Sequence, residues 1–149
     1  MEHPRVSHSL VNALRSVPDF ASLDDRTLLR IVGASMNVAF SPGSLVFEPG
    51  SPSEALYVVL SGSVRVFERT GDGEVEVSRL GPGMSFGELS MLLGTEHSRT
   101  AQALEDTELM VIPRESFQQA LDHSPELAAK FQRRLEQRRP VRGQVSESG

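Results

Sequence analysis

Short apolar runs separated by turn residues dominate the middle of the chain. They occupy residues 36–40, 44–48, 55–60, 63–68, 75–80, 100–104 and 108–112. Valine and phenylalanine recur in these runs, and short strands with glycine-containing gaps are typical of a β-sandwich or barrel. Tight turns need positive backbone angles, so we expect them at the glycines of the gaps, and the sequence TGDG at residues 70–73 predicts a hairpin tip.

Helical patterns come before the strands. Residues 10–16 and residues 28–32 predict two short helices. Asp24 is the predicted N-cap of the second helix, because its carboxylate can accept hydrogen bonds from the free backbone amides of the first turn. The chain therefore begins with a small helical layer.

Two more helices are predicted after the strands, which end at Pro113. The first covers residues 114–121, with Phe117, Ala120 and Leu121 facing inward. Ser124 followed by Pro125 predicts the N-cap and first residue of a last helix that ends near residue 139. The apolar face of this last helix consists of Leu127, Phe131 and Leu135, spaced by four.

The length of 149 residues suits one folded domain with a substantial core. We assign residues 1–139 to that domain and residues 140–149 to a disordered tail. The absence of cysteine excludes a disulfide framework and thiol-based redox sensing. The longest apolar run, residues 55–60, is far shorter than the roughly 18 residues of a membrane span, and the N-terminus lacks the apolar stretch of a signal peptide. We therefore expect a cytoplasmic protein.

Charge is distributed unevenly along the chain. The net charge is -5, yet residues 130–142 contain six basic residues and one glutamate. This segment carries +5, so the remainder of the chain carries -10. A basic helix can mark an anionic partner, or its positive end can simply complement its own helix dipole. Both interpretations stay open.

Residues 86–103, with the sequence FGELSMLLGTEHSRTAQA, contain the most specific chemistry. Gly87 has no side chain, so the backbone can approach a ligand closely. A short helix that begins near Glu88 would present free N–H groups and a positive dipole end to an anion. His97 and Arg99 follow in a loop that enters the next strand.

This stretch resembles the phosphate-binding cassette of the cyclic nucleotide-binding domain family, whose pattern is roughly F-G-E-L-A-L-x-x-G-x-P-R-[AST]-A-T-V-x-A. An ungapped match places Gly94, Thr100 and Ala103 on their family counterparts, and His97 on the phosphate-binding arginine. The segments FSPGSLVFEPG, ALYVVLSGSVRVFE and LEDTELMVIP add to the resemblance, which extends over residues 10–139. The resemblance implies a mainly β fold with flanking helices: a double-stranded β-helix (jelly-roll) barrel with N-terminal helices and two C-terminal helices.

The resemblance, to proteins of the catabolite activator and protein kinase A regulatory subunit type, also implies a ligand. It predicts a stand-alone domain that binds cyclic AMP or cyclic GMP and has no other cofactor. The implied ligand-binding residues are Gly87, Glu88, Leu89, His97, Ser98, Arg99 and Thr100, with Glu88 accepting a hydrogen bond from the ribose hydroxyl. Leu127, Phe131 and Leu135 are the candidate lid over the base, through which the ligand would select a position of the last helix.

The missing arginine leaves three hypotheses open for the phosphate. Arg99 lies two residues after His97, so on a strand it would face the same side and could replace the arginine. His97 itself, when protonated, could supply a weaker and pH-dependent contact. In the third hypothesis, the pocket has lost its ligand and the domain serves as an interaction module.

The leading functional prediction is a regulatory module, not an enzyme, that signals to a protein partner through its C-terminal helices. The alternative is a degenerate domain that acts as a ligand-free protein–protein adaptor. A DNA-binding regulator would need a helix-turn-helix for which too few residues remain after the last helix. A metal-dependent enzyme is disfavoured because the four histidines, His3, His8, His97 and His123, are dispersed along the chain.

Overall fold

A computed structural model describes residues 4–138 of the chain. The elements in order are α1 (Pro4–Arg15), a short 3-10 helix (Pro18–Phe20), α2 (Asp25–Ala34), β1 (Met36–Phe40), β2 (Leu45–Phe47), β3 (Ala55–Ser61), β4 (Val64–Thr70), β5 (Gly73–Leu80), β6 (Ser85–Phe86), α3 (Glu88–Leu93), β7 (Thr100–Ala103), β8 (Thr107–Pro113), α4 (Arg114–His123) and α5 (Pro125–Arg138). The predicted end of the last helix near residue 139 and the predicted tail at residues 140–149 lie outside the described residues.

The strands form two four-stranded sheets, with the orders β1-β8-β3-β6 and β2-β7-β4-β5. Every pairing is antiparallel. In the first sheet β8 lies between β1 and β3, and in the second sheet β7 lies between β2 and β4, so both strands pair with strands from much earlier in the chain. This alternation of the chain between two sheets is a jelly-roll, and the helices lie at its flanks. The predicted fold class, mainly β with flanking helices, is confirmed.

Side-chain capping explains where two of the helices begin. The backbone amide of Thr27 donates to Asp24 Oδ1 at 2.8 Å, at the start of α2. The amide of Leu127 donates to Ser124 Oγ at 3.2 Å, at the start of α5. Both caps satisfy amides that have no partner inside the helix, as the sequence predicted.

The seven strands predicted from the sequence are all present, with ends that shift by one or two residues. β6 was not predicted, because its two residues are too few to show a pattern. The positive φ expected at the glycines between the strands is not found at Gly71 and Gly81, so that prediction was wrong for these two residues. The glycines that adopt positive φ are Gly43, Gly50, Gly62, Gly73, Gly83, Gly87 and Gly94.

Two apolar clusters stabilise the domain. One joins the helices to the outer face of the first sheet and includes Phe20, Leu56, Phe117 and Phe131. The other fills the space between the sheets around Phe47, Val59, Phe86 and Leu109. In the part of the chain that the structure describes, no helix is long and apolar enough to cross a membrane.

Candidate functional site

Gly87 marks the point where β6 turns into α3. Its backbone adopts φ 85° and ψ 3°, in the left-handed region that favours glycine. A Cβ atom at this position would lie 3.0 Å from Cδ2 of Tyr57. The ring of Tyr57 is stacked on Phe86, with ring centroids 5.2 Å apart. A side chain at position 87 would therefore strain the backbone and push against this aromatic pair.

Glu88 is the first residue of α3, and its side chain is buried. It lines a groove of about 580 Å³ between the short 3-10 helix, the edge strand β5 and β6. Ser78 and Ser85 contribute hydroxyl groups to the same groove. A carboxylate beside a groove with hydroxyl groups is suited to accept a hydrogen bond from a ligand hydroxyl.

His97 is buried in the barrel, with 2% of its surface exposed. Its ring is stacked on Phe47 at a centroid distance of 3.6 Å and an interplanar angle of 4°. Among the residues that the structure describes, neither ring nitrogen has a hydrogen-bond partner. Burial lowers the pKa of His97 from 6.5 to about 4. The ring is therefore neutral at pH 7 and offers no charge to a phosphate.

The backbone around His97 is held by the loop after β2. The His97 amide donates to the carbonyl of Ser51 at 3.0 Å, and the amide of Gly50 donates to the carbonyl of His97 at 2.8 Å. Pro52 and Glu96 form an isolated antiparallel bridge beside these bonds. This pairing fixes the direction in which the His97 ring enters the barrel.

Arg99 is also buried, with 3% of its surface exposed, whereas Ser98 between the two is exposed. Residues 97–99 are not part of a strand, yet they keep the alternation that the sequence analysis predicted for them. The Nε group of Arg99 donates to Glu68 Oε2 at 2.7 Å. The domain thus buries a guanidinium two residues after the family's arginine position, and a carboxylate already holds it.

The other predicted site residues lie in the second sheet and among the C-terminal helices, or their side chains are not among those described. Thr100 is buried and pairs with Phe67 in the second sheet. Leu127 and Phe131 are buried among the helices, where the ring of Phe131 meets that of Phe117 edge-on at 5.0 Å. The side chains of Leu89 and Leu135 fall outside the described part of the structure.

The candidate lid and the cassette nevertheless share a core. Met91 from α3 belongs to the same buried cluster as Phe117, Leu127 and Phe131. α5 packs mainly on α4 and the short 3-10 helix, and α3 packs on β3, so the cluster connects α3 to α5 through those elements.

Sequence reasoning missed three residues of this site: Phe47, Tyr57 and Glu68. The two aromatic residues belong to ordinary apolar strands, and nothing in the sequence distinguishes them. Glu68 carries a weak signal, because it continues the alternation of the buried residues Val64 and Val66 along β4. A charged residue on the inward phase of a strand could have been identified as a candidate partner for a buried cation.

The comparison with protein families identifies the family to which the domain belongs. Residues 37–124, more than half of the chain, match the family model described as cyclic nucleotide-binding domain. The chain belongs to this family. The cyclic AMP receptor protein of Thermus thermophilus is 41% identical over 101 residues, which cover 64% of this chain and 47% of that protein. The chain spans smaller shares, down to 6%, of other curated relatives.

Solved structures agree with the family assignment. The sensor domain of the transcriptional regulator DNR from Pseudomonas aeruginosa matches with a TM-score of 0.80 and 27% identity, covering 90% of this chain and 93% of that domain. The regulatory subunit of a cAMP-independent protein kinase A from Trypanosoma brucei matches with a TM-score of 0.77 and 26% identity, covering 89% of this chain and 48% of that subunit. The chain is thus similar to regulatory domains of this family.

Proposed function

We propose that the domain is a regulatory module that binds a cyclic mononucleotide, with cyclic AMP as the leading candidate. The bound or ligand-free state of the domain is transmitted through α5. One observation carries the proposal: Gly87 and Glu88 have the backbone turn and the buried carboxylate that a ribose needs, in a chain that also buries Arg99. The module performs no chemistry of its own. It signals to a protein partner that contacts the C-terminal helices.

The proposed ligand contacts divide by chemistry. Glu88 accepts the ribose hydroxyl. The left-handed turn at Gly87, which is packed against Tyr57, sets the direction in which α3 and Glu88 begin. Arg99 faces the cyclic phosphate, because its guanidinium stays charged at every working pH and can bind two oxygens at once. His97 contributes shape through its stack on Phe47 and no charge.

Transmission follows from the shared core. Met91 on the cassette helix contacts the same apolar cluster as Leu127 and Phe131 on α5. A ligand that holds α3 in one position therefore favours one packing of α5. The similarity to the DNR sensor domain and to a kinase regulatory subunit supports a role of this kind.

We expect cyclic AMP or cyclic GMP to raise the melting temperature. At a ligand concentration one hundred times the dissociation constant, binding stabilises the fold by about 2.7 kcal/mol. For a domain of this size that is roughly 5 to 10 °C. Differential scanning fluorimetry measures the shift, and linear AMP, which lacks the cyclic phosphate, serves as the control and should give none.

We expect Glu88→Ala to weaken cyclic AMP binding by about 1.5 to 3 kcal/mol, the range for a hydrogen bond to a charged group. Binding of the 2'-deoxy analogue should barely change, because the analogue lacks the hydroxyl. Glu115→Ala is the matched control, since Glu115 also lies in the first turn of a helix, α4. Equal losses for both ligands would show that Glu88 supports α3 and does not contact the sugar.

A ligand-free adaptor is the second candidate. It is favoured by the contacts that His97 and Arg99 already make inside the domain. Phe47 already covers one face of the His97 ring, and Glu68 already holds Arg99. The similarity to a regulatory subunit described as cAMP-independent is consistent with this candidate. If neither cyclic nucleotide at about 1 mM shifts the melting temperature, the adaptor becomes the preferred function, since a weaker site offers only about 4 kcal/mol.

A further inference from the structure

We propose that Glu68 is the residue that sets how tightly the cassette binds an anionic phosphate, because Glu68 and the phosphate share the charge of Arg99. This role rests on the proposed function. It gives the chain an affinity control that lies outside the cassette, on a neighbouring strand.

The geometry of the pair is asymmetric. The Arg99 side chain is 4% exposed, whereas that of Glu68 is 40% exposed, and the Nε–Oε2 distance is 2.7 Å. The partly exposed Glu68 of β4 therefore compensates the charge of Arg99, which is buried away from solvent. A buried guanidinium without such a partner would be costly, so removal of the Glu68 contact would destabilise the ligand-free domain.

The other charges of β4 pair away from this contact. Arg65 lies 2.9 Å from Glu74, and Arg69 lies 3.7 Å from the same carboxylate. The guanidinium of Arg65 also covers the ring of Phe67, with its carbon 3.9 Å from the ring centroid. Arg65 and Arg69 thus have partners of their own, and Arg99 is the cation that compensates Glu68.

The charge balance determines the effect on a ligand. Glu68 and Glu88 are acidic, Arg99 is basic, and His97 is neutral because burial lowers its pKa to about 4. Asp19 and Arg79, one acidic and one basic residue, line the groove beside Glu88. A cyclic phosphate adds another negative charge beside Arg99. Repulsion between this phosphate and the Glu68 carboxylate, which would both contact one guanidinium, opposes binding.

Glu68→Gln separates charge from geometry. The amide oxygen of glutamine can still accept from Nε of Arg99, so the guanidinium keeps its orientation while the negative charge disappears. Because Glu68 is partly exposed, solvent screens its charge. We expect a modest gain of about 3- to 10-fold in affinity for cyclic AMP.

Isothermal titration calorimetry of wild type, Glu68→Gln and Glu74→Gln with cyclic AMP tests the proposal. Glu74→Gln is the matched control, because it removes a carboxylate from the strand next to β4 that pairs with Arg65 and Arg69. We expect the gain only for Glu68→Gln, and no such gain when adenosine, which lacks the phosphate, is the probe. Detectable binding by Glu68→Gln alone would support the proposal most strongly.

Three results would overturn the proposal while leaving the proposed function intact: unchanged cyclic AMP affinity in Glu68→Gln, reduced affinity, or an equal gain for Glu74→Gln. An equal gain for adenosine would also overturn it, because the effect would then not involve the phosphate. Absence of cyclic AMP binding in wild type and in Glu68→Gln at about 1 mM would overturn this proposal together with the proposed function. Melting curves of each variant show whether it is folded.

Discussion

Acidification from pH 7 to pH 4 should destabilise the domain by about 3 kcal/mol through His97 alone. The pKa of this residue is about 4 in the folded state, because burial disfavours the charged ring, and 6.5 is its ordinary value. Between pH 4 and pH 6.5, His97 is therefore protonated in the unfolded chain and neutral in the folded chain. Stability is fully present above about pH 6.5 and falls as the pH decreases toward 4.

Urea unfolding at a series of pH values measures this loss. His97→Phe should reduce the pH dependence by about the same 3 kcal/mol, because phenylalanine can keep the stack on Phe47 and cannot be protonated. His123→Gln is the matched control, since His123 is exposed at the end of α4. Carboxylates contribute acid sensitivity equally to all three proteins. The same pH dependence in wild type and His97→Phe would contradict a buried neutral ring.

The sequence predicted the architecture well because the architecture depends on local signals. Alternation and turn residues predicted seven strands, and the caps at Asp24 and Ser124 depend on residues only three positions apart. The strand β6 was not predicted, because its two residues are defined only by their pairing with Tyr57 and Val58 in β3. Its existence is a tertiary property.

The candidate site could be predicted only in part, for a related reason. The cassette motif indicated Gly87 and Glu88, and in the structure Gly87 has left-handed backbone angles and Glu88 begins α3 with its side chain buried. The environments of His97 and Arg99 depend on partners 50 and 31 positions away, Phe47 and Glu68. A sequence pattern cannot show that a histidine is buried, and burial is what keeps the His97 ring neutral.

Arg99→Ala should lower the affinity for cyclic AMP by about 2 to 5 kcal/mol. This is the cost of truncating one partner of a buried charge pair at a binding interface, here the proposed pair of Arg99 and the cyclic phosphate. Arg99→Lys should lose less, because lysine keeps the charge but not the planar fork. Calorimetry at pH 7 measures both. A melting curve of each variant accompanies it, since Arg99 is buried and its loss leaves Glu68 without its partner.

The pH dependence of binding distinguishes Arg99 from His97 as the phosphate ligand. A guanidinium keeps its charge, so affinity should stay nearly constant from about pH 5.5 to 8 if Arg99 binds the phosphate. If a protonated His97 bound it, its pKa would rise in the complex from about 4, and affinity would fall with increasing pH from about 4 up to the pKa of the complex. We expect the constant profile, and we expect His97→Gln to cost less affinity than Arg99→Ala. A steep decline that His97→Gln abolishes would assign the phosphate to the imidazole instead.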